Sequence, residues 1–248
     1  MSQDITKFQR YEFKYLLRAS TADSIESEIK NFMSLDANVK DVSAGSYFVR
    51  SQYFENQLFT NFYEKVDGMK ERHKYRLRSY SKTADQDSPL FLEKKSRKIE
   101  RTTKGRILLS HEHLDIIYKK DYQQLLELFN HNSFIEGFVF DCIRKNLDPM
   151  VLIDYSRAPY VSAYDTNFRV TFDREIRSSI SSFSKSIFSQ QQHWKKVNAG
   201  FCTLEVKFLR RFPPWFRRII QHYNLRRISI SKFSTGMEAC GLAQDTGL

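Results

Sequence analysis

Cysteine is nearly missing from this chain of 248 residues: Cys142, Cys202 and Cys240 are odd in number, far apart and without CxxC spacing. A disulfide framework and a cysteine zinc site are thereby excluded, and a reducing cytosol is the expected compartment. Long apolar runs are lacking too. No stretch approaches the roughly 18 apolar residues that span a bilayer, so membrane contact is expected to go through a partner. The N-terminal stretch MSQDITKFQRYEFKYLL has no basic segment leading into an apolar one, and no signal peptide is expected. Proline and glycine are few, at 5 and 8 residues, while 41% of residues are hydrophobic and 15% aromatic, which excludes a disordered chain. Acidic residues are in deficit. The 29 Asp and Glu against 40 Lys and Arg leave a formal charge of +11, which calls for an anionic partner: nucleic acid, membrane surface or a phosphorylated small molecule.

Period-two alternation with β-branched or aromatic residues marks strands at 9–17, 46–54, 70–80, 89–97, 99–109, 150–161, 166–174 and 201–209. Helical spacing separates some of them. Ile25, Ile29, Phe32 and Met33 follow the cap candidates Ser20 and Thr21. Leu114, Ile117, Tyr118, Leu125, Leu128 and Phe129 predict helix over 111–130 with a break near Lys120, and a third helix starts at Pro213-Pro214 and places Trp215, Ile219, Ile220 and Tyr223 on one side. The Ser- and Gln-rich segment 180–192 reads as a surface insertion. One domain, 1–248, is expected, with no internal repeat.

Most of these strands carry one apolar and one charged face. In KYRLRSY, Lys74, Arg76 and Arg78 share a side, as do Arg10, Glu12 and Lys14 in RYEFKYLL, and Glu93, Lys95 and Arg97 in FLEKKSRK. Lys104 with Arg106, Arg169 with Thr171 and Asp173, and Glu205 with Lys207 repeat the pattern. A charged face turned to water is the ordinary alternative for an antiparallel sheet. Arg and Lys dominate these faces, however, with glutamates single among them. Like charges about 6 Å apart cost roughly 3 kcal/mol per pair at an effective dielectric near 20, so such a wall is comfortable only around an anion. The expected fold is therefore α+β and mainly antiparallel, an eight-stranded barrel with cations inward and amphipathic helices at its periphery.

The strings RYEFKY (10–15), SQYFE (51–55), KYRLRSY (74–80), LEKK (92–95), KGR (104–106), RVTFD (169–173), LEVKF (204–208) and SKF (231–233) resemble, in order, those of the VTC (vacuolar transporter chaperone) domain. That domain lies within the triphosphate tunnel metalloenzyme superfamily, which also holds the CYTH hydrolases. The resemblance implies an antiparallel tunnel barrel and a polymerase that moves the terminal phosphate of ATP onto a growing polyphosphate chain with Mn²⁺ or Mg²⁺. It implies Lys14, Arg76, Arg78, Lys95 and Arg169 as catalytic cations together with Glu205, with Lys104 also on phosphate. Arg10, Lys74, Arg106, Arg157 and Lys207 extend the phosphate-binding set, and Ser231 and Lys232 match the SK of the family's closing strand.

Glu205, helped by Glu12 or Glu93, is the expected metal site. Glu12 and Glu93 have a second reading as ion-pair partners of Lys and Arg across strands, and Glu205 beside Lys207 shares it. Two departures stand out. Ser229 occupies a position where the family often has lysine, with Arg226 and Arg227 as substitutes. CYTH hydrolases open with ExExK, whereas this chain has Arg10, Glu12 and Lys14, which exchanges a hard oxygen ligand for a bidentate phosphate clamp.

Because phosphoryl transfer is mostly positioning and charge neutralisation, a cationic wall suffices without a catalytic dyad. An inorganic triphosphatase and a non-catalytic polyphosphate-binding subunit are the competing readings. Nucleic acid is not an expected partner, since neither a recognition helix nor basic residues interleaved with exposed aromatics stand out. ATP and polyphosphate or triphosphate are the expected ligands, in the cytoplasm, with a separate membrane protein as a partner at the inner face of a membrane.

Overall fold

The computed structural model describes residues 11–84, 88–99, 101–182 and 186–245. Along the chain these form β1 (Tyr11–Arg18), α1 (Ala19–Ile29), β2 (Met33–Leu35), β3 (Tyr47–Glu55), α2 (Thr60–Val66), β4 (Glu71–Ser79), β5 (Leu90–Lys98) and β6 (Arg101–Leu109). Then come α3 (Glu112–Lys119), α4 (Tyr122–Leu128), α5 (Ser133–Lys145), β7 (Asp148–Ser162), β8 (Arg169–Ile180), β9 (Lys195–Lys196), β10 (Phe201–Phe208), α6 (Pro214–His222) and α7 (Lys232–Ala239). The fold class is the expected one, α+β and mainly antiparallel. Two compact units share it: Met1–Tyr47 with Ser156–Glu175 and Asn198–Ile230, and Phe48–Tyr155 with Ile176–Val197 and Ser231–Leu248. β7 and β8 run through both.

In the first unit the strand order is β1-β10-β8-β7, and β2 pairs with the end of β7 through Met33↔Ser162. Alternation decides which side is buried. Cys202, Leu204, Val206 and Phe208 of β10 join Tyr15, Leu17, Val170 and Phe172 in a core closed by Ile25 and Ile29 of α1 and Phe216 and Ile219 of α6. Pro213-Pro214 opens α6 as its sequence predicts. The expectation for α1 needs correction at its end. The helix stops at Ile29 and Met33 enters β2, so Phe32 is no part of the helical stripe and stacks instead on Trp215, centroids 4.5 Å apart.

In the second unit the order is β7-β3-β4-β5-β6, with β9 on β8. Tyr75, Leu77, Leu90, Leu92 and Leu109 pack beneath α3, α4 and α5, which contribute Leu114, Ile117, Leu125, Ile135 and Phe138. The break near Lys120 is real: Lys120 is left-handed, with φ 59°, and Asp121 then caps α4 through Gln124 N–H. Ile187, inside the segment read as a surface insertion, is buried in this core, and its N–H donates to Tyr118 Oη at 2.8 Å.

The main ladder runs through eight strands, with β1 and β6 at its ends. The outer side of β1 carries an isolated bridge, Lys14↔Ile228, and that of β6 no ladder among the described residues. Exposed Lys104 and Arg106 on β6 are the charges with which edge strands resist further pairing.

Candidate functional site

The register of β4, β5 and β6 sorts their charges into two rows on one face. Lys74, Lys95 and Lys104 stand directly opposite one another across the three strands, and Arg76, Glu93 and Arg106 form the next row. Opposed like charges destabilise a sheet, so the lysine row is a cost that only an anion or its own neighbours can offset. Arg78 lies one step further on, facing Ser51 of β3, and Tyr53 of β3 faces Arg76.

Glu93 is the organiser of this face. It is 1% exposed, and one oxygen takes Arg76 Nε and Nη2 at 2.8 and 2.6 Å, with Arg78 Nη1 at 3.6 Å. The other oxygen lies 2.5 Å from Lys104 Nζ. Burial alone would raise the pKa of its carboxyl, but the charges of Arg76, Arg78 and Lys104 outweigh it and hold the group well below the usual carboxylate range. Of the two expectations for Glu93, metal ligand and ion-pair partner, these contacts show the ion pairs with three cations. Arg76 also donates to Tyr53 Oη at 2.7 Å, and Arg78 to Ser51 Oγ and Tyr155 Oη, each at 3.2 Å. Both guanidiniums are thereby fixed in position. Lys104, whose side chain stays 43% exposed, has its pKa pushed down to about 8 by burial of the ammonium and by Arg76 and Arg78, against the pull of Glu93.

The helix α7 lies on the same face. Lys232 and Ser231 were matched to a closing strand; this part of the chain is helical, with Ser231 as the cap accepting from Ser234 N–H. Gly236 permits the approach, since a Cβ there would fall 2.8 Å from Ile153 Cδ1. Lys232 Nζ sits 4.9 Å over the Tyr155 ring. Phe233, 1% exposed, packs on Tyr53 and carries Lys74 Nζ at 4.0 Å over its own ring. Burial pushes the Lys74 pKa down to about 7, with Lys65, Arg72 and Lys95 adding to the fall and Glu55 opposing it. Glu55 itself is fully buried and accepts from the Asn61 and Phe62 N–H groups at the start of α2. Lys95 and Arg106 are exposed, and Arg106 rests over the Phe91 ring at 4.6 Å.

The first unit presents a differently balanced face. Lys14 stands opposite Glu205, which stands opposite Thr171; Glu12, Lys207 and Arg169 make the parallel row. Lys14 Nζ is 3.2 Å from Glu12 Oε1 and donates to Ile230 O at 3.2 Å. Lys207 Nζ is 2.7 Å from Glu205 Oε1. Arg157 clamps Asp173 through two bonds of 2.7 and 2.8 Å and reaches Glu205 Oε2 at 3.9 Å. Arg169 is half exposed, 3.8 Å from Asp36. Arg10, expected on this face, lies outside the described residues.

Whether a divalent cation fits here can be judged from the oxygens. Thr203 faces Asp173 across the ladder, and the hydroxyls of Thr171 and Thr203 are buried without a hydrogen-bond partner. With the carboxylates of Glu205 and Asp173 they make a block of hard oxygen donors, the set suited to Mg²⁺ or Mn²⁺. No cluster of three or more His, Cys, Asp or Glu side chains occurs among the described residues, so much of a bound ion's coordination would fall to phosphate oxygens and water.

Several contributors were not singled out from sequence. Ser51 and Tyr53 alternate within SQYFE just as the cations do within KYRLRSY, and Asp173 closes RVTFD on the side of Arg169. Their signal was the same period of two. Glu55 continues that period and Phe233 ends SKF, but what they do depends on α2 and α7.

Among known proteins, the model of the VTC domain family matches residues 9–240. No curated protein matches the sequence. The fold is similar to the crystal structure, at 2.12 Å, of a Bacillus halodurans protein named "putative adenylate cyclase", with a TM-score of 0.50 and 12% identity over 90% of this chain and 94% of that one.

Proposed function

Because the chain belongs to the VTC domain family, we propose that it is a polyphosphate polymerase, which transfers the terminal phosphate of ATP to the end of a polyphosphate chain. The observation carrying this reading is the cluster of Arg76, Arg78 and Lys104 gathered on one buried carboxylate, Glu93, with the exposed Lys95 in the lysine row beside it. Such a face is built for an extended polyanion. Arg76 and Arg78, pre-positioned by Tyr53, Ser51 and Tyr155, present guanidinium forks to phosphate oxygens, while Lys95, Lys104 and Lys232 supply compact charges. On the first unit, Lys14, Arg169, Arg157 and Lys207 are the phosphate-binding cations.

In the reaction a terminal oxygen of the acceptor chain attacks the γ-phosphorus of ATP. The bond from γ-phosphorus to the β–γ bridging oxygen breaks, and ADP leaves with that oxygen. The attacking oxygen is already anionic, so no side chain has to remove a proton. The protein's part is to align the two polyanions and neutralise charge on the transferring group. Glu205, with Asp173 and the Thr171 and Thr203 hydroxyls, would hold Mn²⁺ or Mg²⁺, which when bound neutralises phosphate oxygens.

The deciding experiment incubates the purified protein with ATP, Mn²⁺ and a short polyphosphate primer and resolves the products on a gel. Chain growth matched by ADP release is expected. Free phosphate without growth would make it a triphosphatase, and tight polyphosphate binding with neither product would make it a binding subunit.

A further inference from the structure

Outside both charged faces, the first unit carries a third basic surface. From Leu209 to Arg227 the chain reads LRRFPPWFRRIIQHYNLRR, with six arginines, one histidine and no carboxylate. Arg210, Arg211, Arg217, Arg218, Arg226 and Arg227 are all exposed. Among the described residues, Arg210, Arg211, Arg217 and Arg218 have no carboxylate partner. The helix beneath them is firmly seated, since Phe216 and Ile219 are buried in the core, so α6 turns Arg217, Arg218, Gln221 and His222 to solvent as a rigid array.

Apolar surface accompanies this charge. Phe32 is 39% exposed and lies flat on Trp215, the ring planes 6° apart. Below the pair opens a cleft of about 400 Å³ lined by Glu28, Phe32, Trp215, Arg218, Ile219 and His222. The one carboxylate there, Glu28, accepts from Tyr223 Oη. Unpaired arginines at the rim of an aromatic, apolar cleft match the boundary between phospholipid headgroups and acyl chains, where guanidiniums meet phosphate and rings sit below it.

We propose that α6 and its flanking arginines dock this protein directly on an anionic phospholipid bilayer. No helix among the described residues is long and apolar enough to cross a membrane, so the contact is peripheral and electrostatic in origin. A bilayer suits the site better than single-stranded nucleic acid. Bases stack on free ring faces, whereas Phe32 and Trp215 each give one face to the other and Trp215 also packs against Phe168 and Phe216. Membrane contact was expected to require a partner protein; this surface removes that requirement.

The test is co-sedimentation of the full chain with phosphatidylcholine vesicles, with and without 30% phosphatidylserine. Binding to the phosphatidylserine vesicles alone, weakening as salt rises, is expected. An arginine near an anionic bilayer is worth roughly a fivefold change in partitioning, so R217Q/R218Q should bind about 25-fold more weakly while its circular dichroism and solution activity stay unchanged. In a W194F background, brominated lipid should quench Trp215 fluorescence. Equal binding of R217Q/R218Q, equal binding to neutral vesicles, or no quenching would overturn the proposal. So would vesicles left unbound while RNA or soluble polyphosphate binds through Arg217 and Arg218, which would make the partner a soluble polyanion.

Discussion

Arg76 points Nε and Nη2 at the same oxygen of Glu93, 2.8 and 2.6 Å away, in a pair whose carboxylate is 1% exposed. Removing one partner of a buried ion pair leaves the other charge uncompensated, at a cost of about 3–5 kcal/mol. Glu93→Gln keeps the shape and deletes the charge that Arg76, Arg78 and Lys104 share. In a chain of this size, that loss corresponds to a fall in Tm of about 6–20 °C. Triphosphate should then restore more stability to the variant than to the parent, because it replaces the missing anion. Thermal denaturation with and without triphosphate reads both effects, and an unchanged Tm would show that Glu93 is not the counter-ion.

Lys74 provides a dependence on pH. Its pKa is pushed down to about 7 in the folded protein, against about 10.4 for an unperturbed lysine. Between these values the unfolded chain holds a proton that the folded one has released, so this group makes stability rise with pH from about 7 upward, and below 7 the folded state bears a buried ammonium. Lys74→Met should flatten the rise in Tm between pH 6.5 and 9. Polyphosphate binding should draw protons onto Lys74, and onto Lys104, whose pKa is about 8. Titration calorimetry at pH 8 in Tris and in HEPES would then give apparent enthalpies differing by the proton uptake, and identical enthalpies would refute it.

The alternation in KYRLRSY correctly put Lys74, Arg76 and Arg78 on one side, since a strand's two faces are written in its odd and even positions. Helices declared themselves less evenly. In α5, Phe140 and Ile143 are 63% and 65% exposed, so its apolar residues run around the helix and blur the stripe by which a sequence announces one. In α7, Ser234, Thr235 and Gly236 are weak helix formers, and the packing of Gly236 on Ile153 overrides them. That contact joins residues far apart in the sequence, on α7 and β7. The burial of Lys74 under Phe233 has the same origin, which is why a cation expected to be open to phosphate turned out to be covered.

Phe233 is the ring packed against the Lys74 ammonium. Phe233→Ala removes a ring from between Tyr53 and the Lys74 ammonium, which costs about 3–5 kcal/mol in stability and returns water to the lysine. The Lys74 pKa should climb back toward 10.4, and the amine should be protonated across the neutral range. Nuclear magnetic resonance of reductively ¹³C-methylated lysines follows that pKa directly. A Lys74 signal still titrating near 7 in the variant would mean that α7 does not impose the shift.

Glu205→Gln separates holding a metal from holding phosphate. Glu205 is buried, with Lys207 at 2.7 Å and Arg157 at 3.9 Å, and it stands across the ladder from the unpartnered Thr171 hydroxyl. An amide keeps the shape and one oxygen but loses the charge that makes a hard anionic ligand for Mn²⁺ or Mg²⁺. Nearby cations gain rather than lose positive potential, so polyphosphate affinity should hold or rise. Turnover that depends on the metal should fall by a factor of at least about 100, the scale of losing one charged transition-state contact. The two quantities are read independently, binding by calorimetry without metal and turnover by ADP release across a Mn²⁺ titration. A loss of both together would make Glu205 a structural partner of Arg157 and Lys207 and move the metal assignment to another carboxylate.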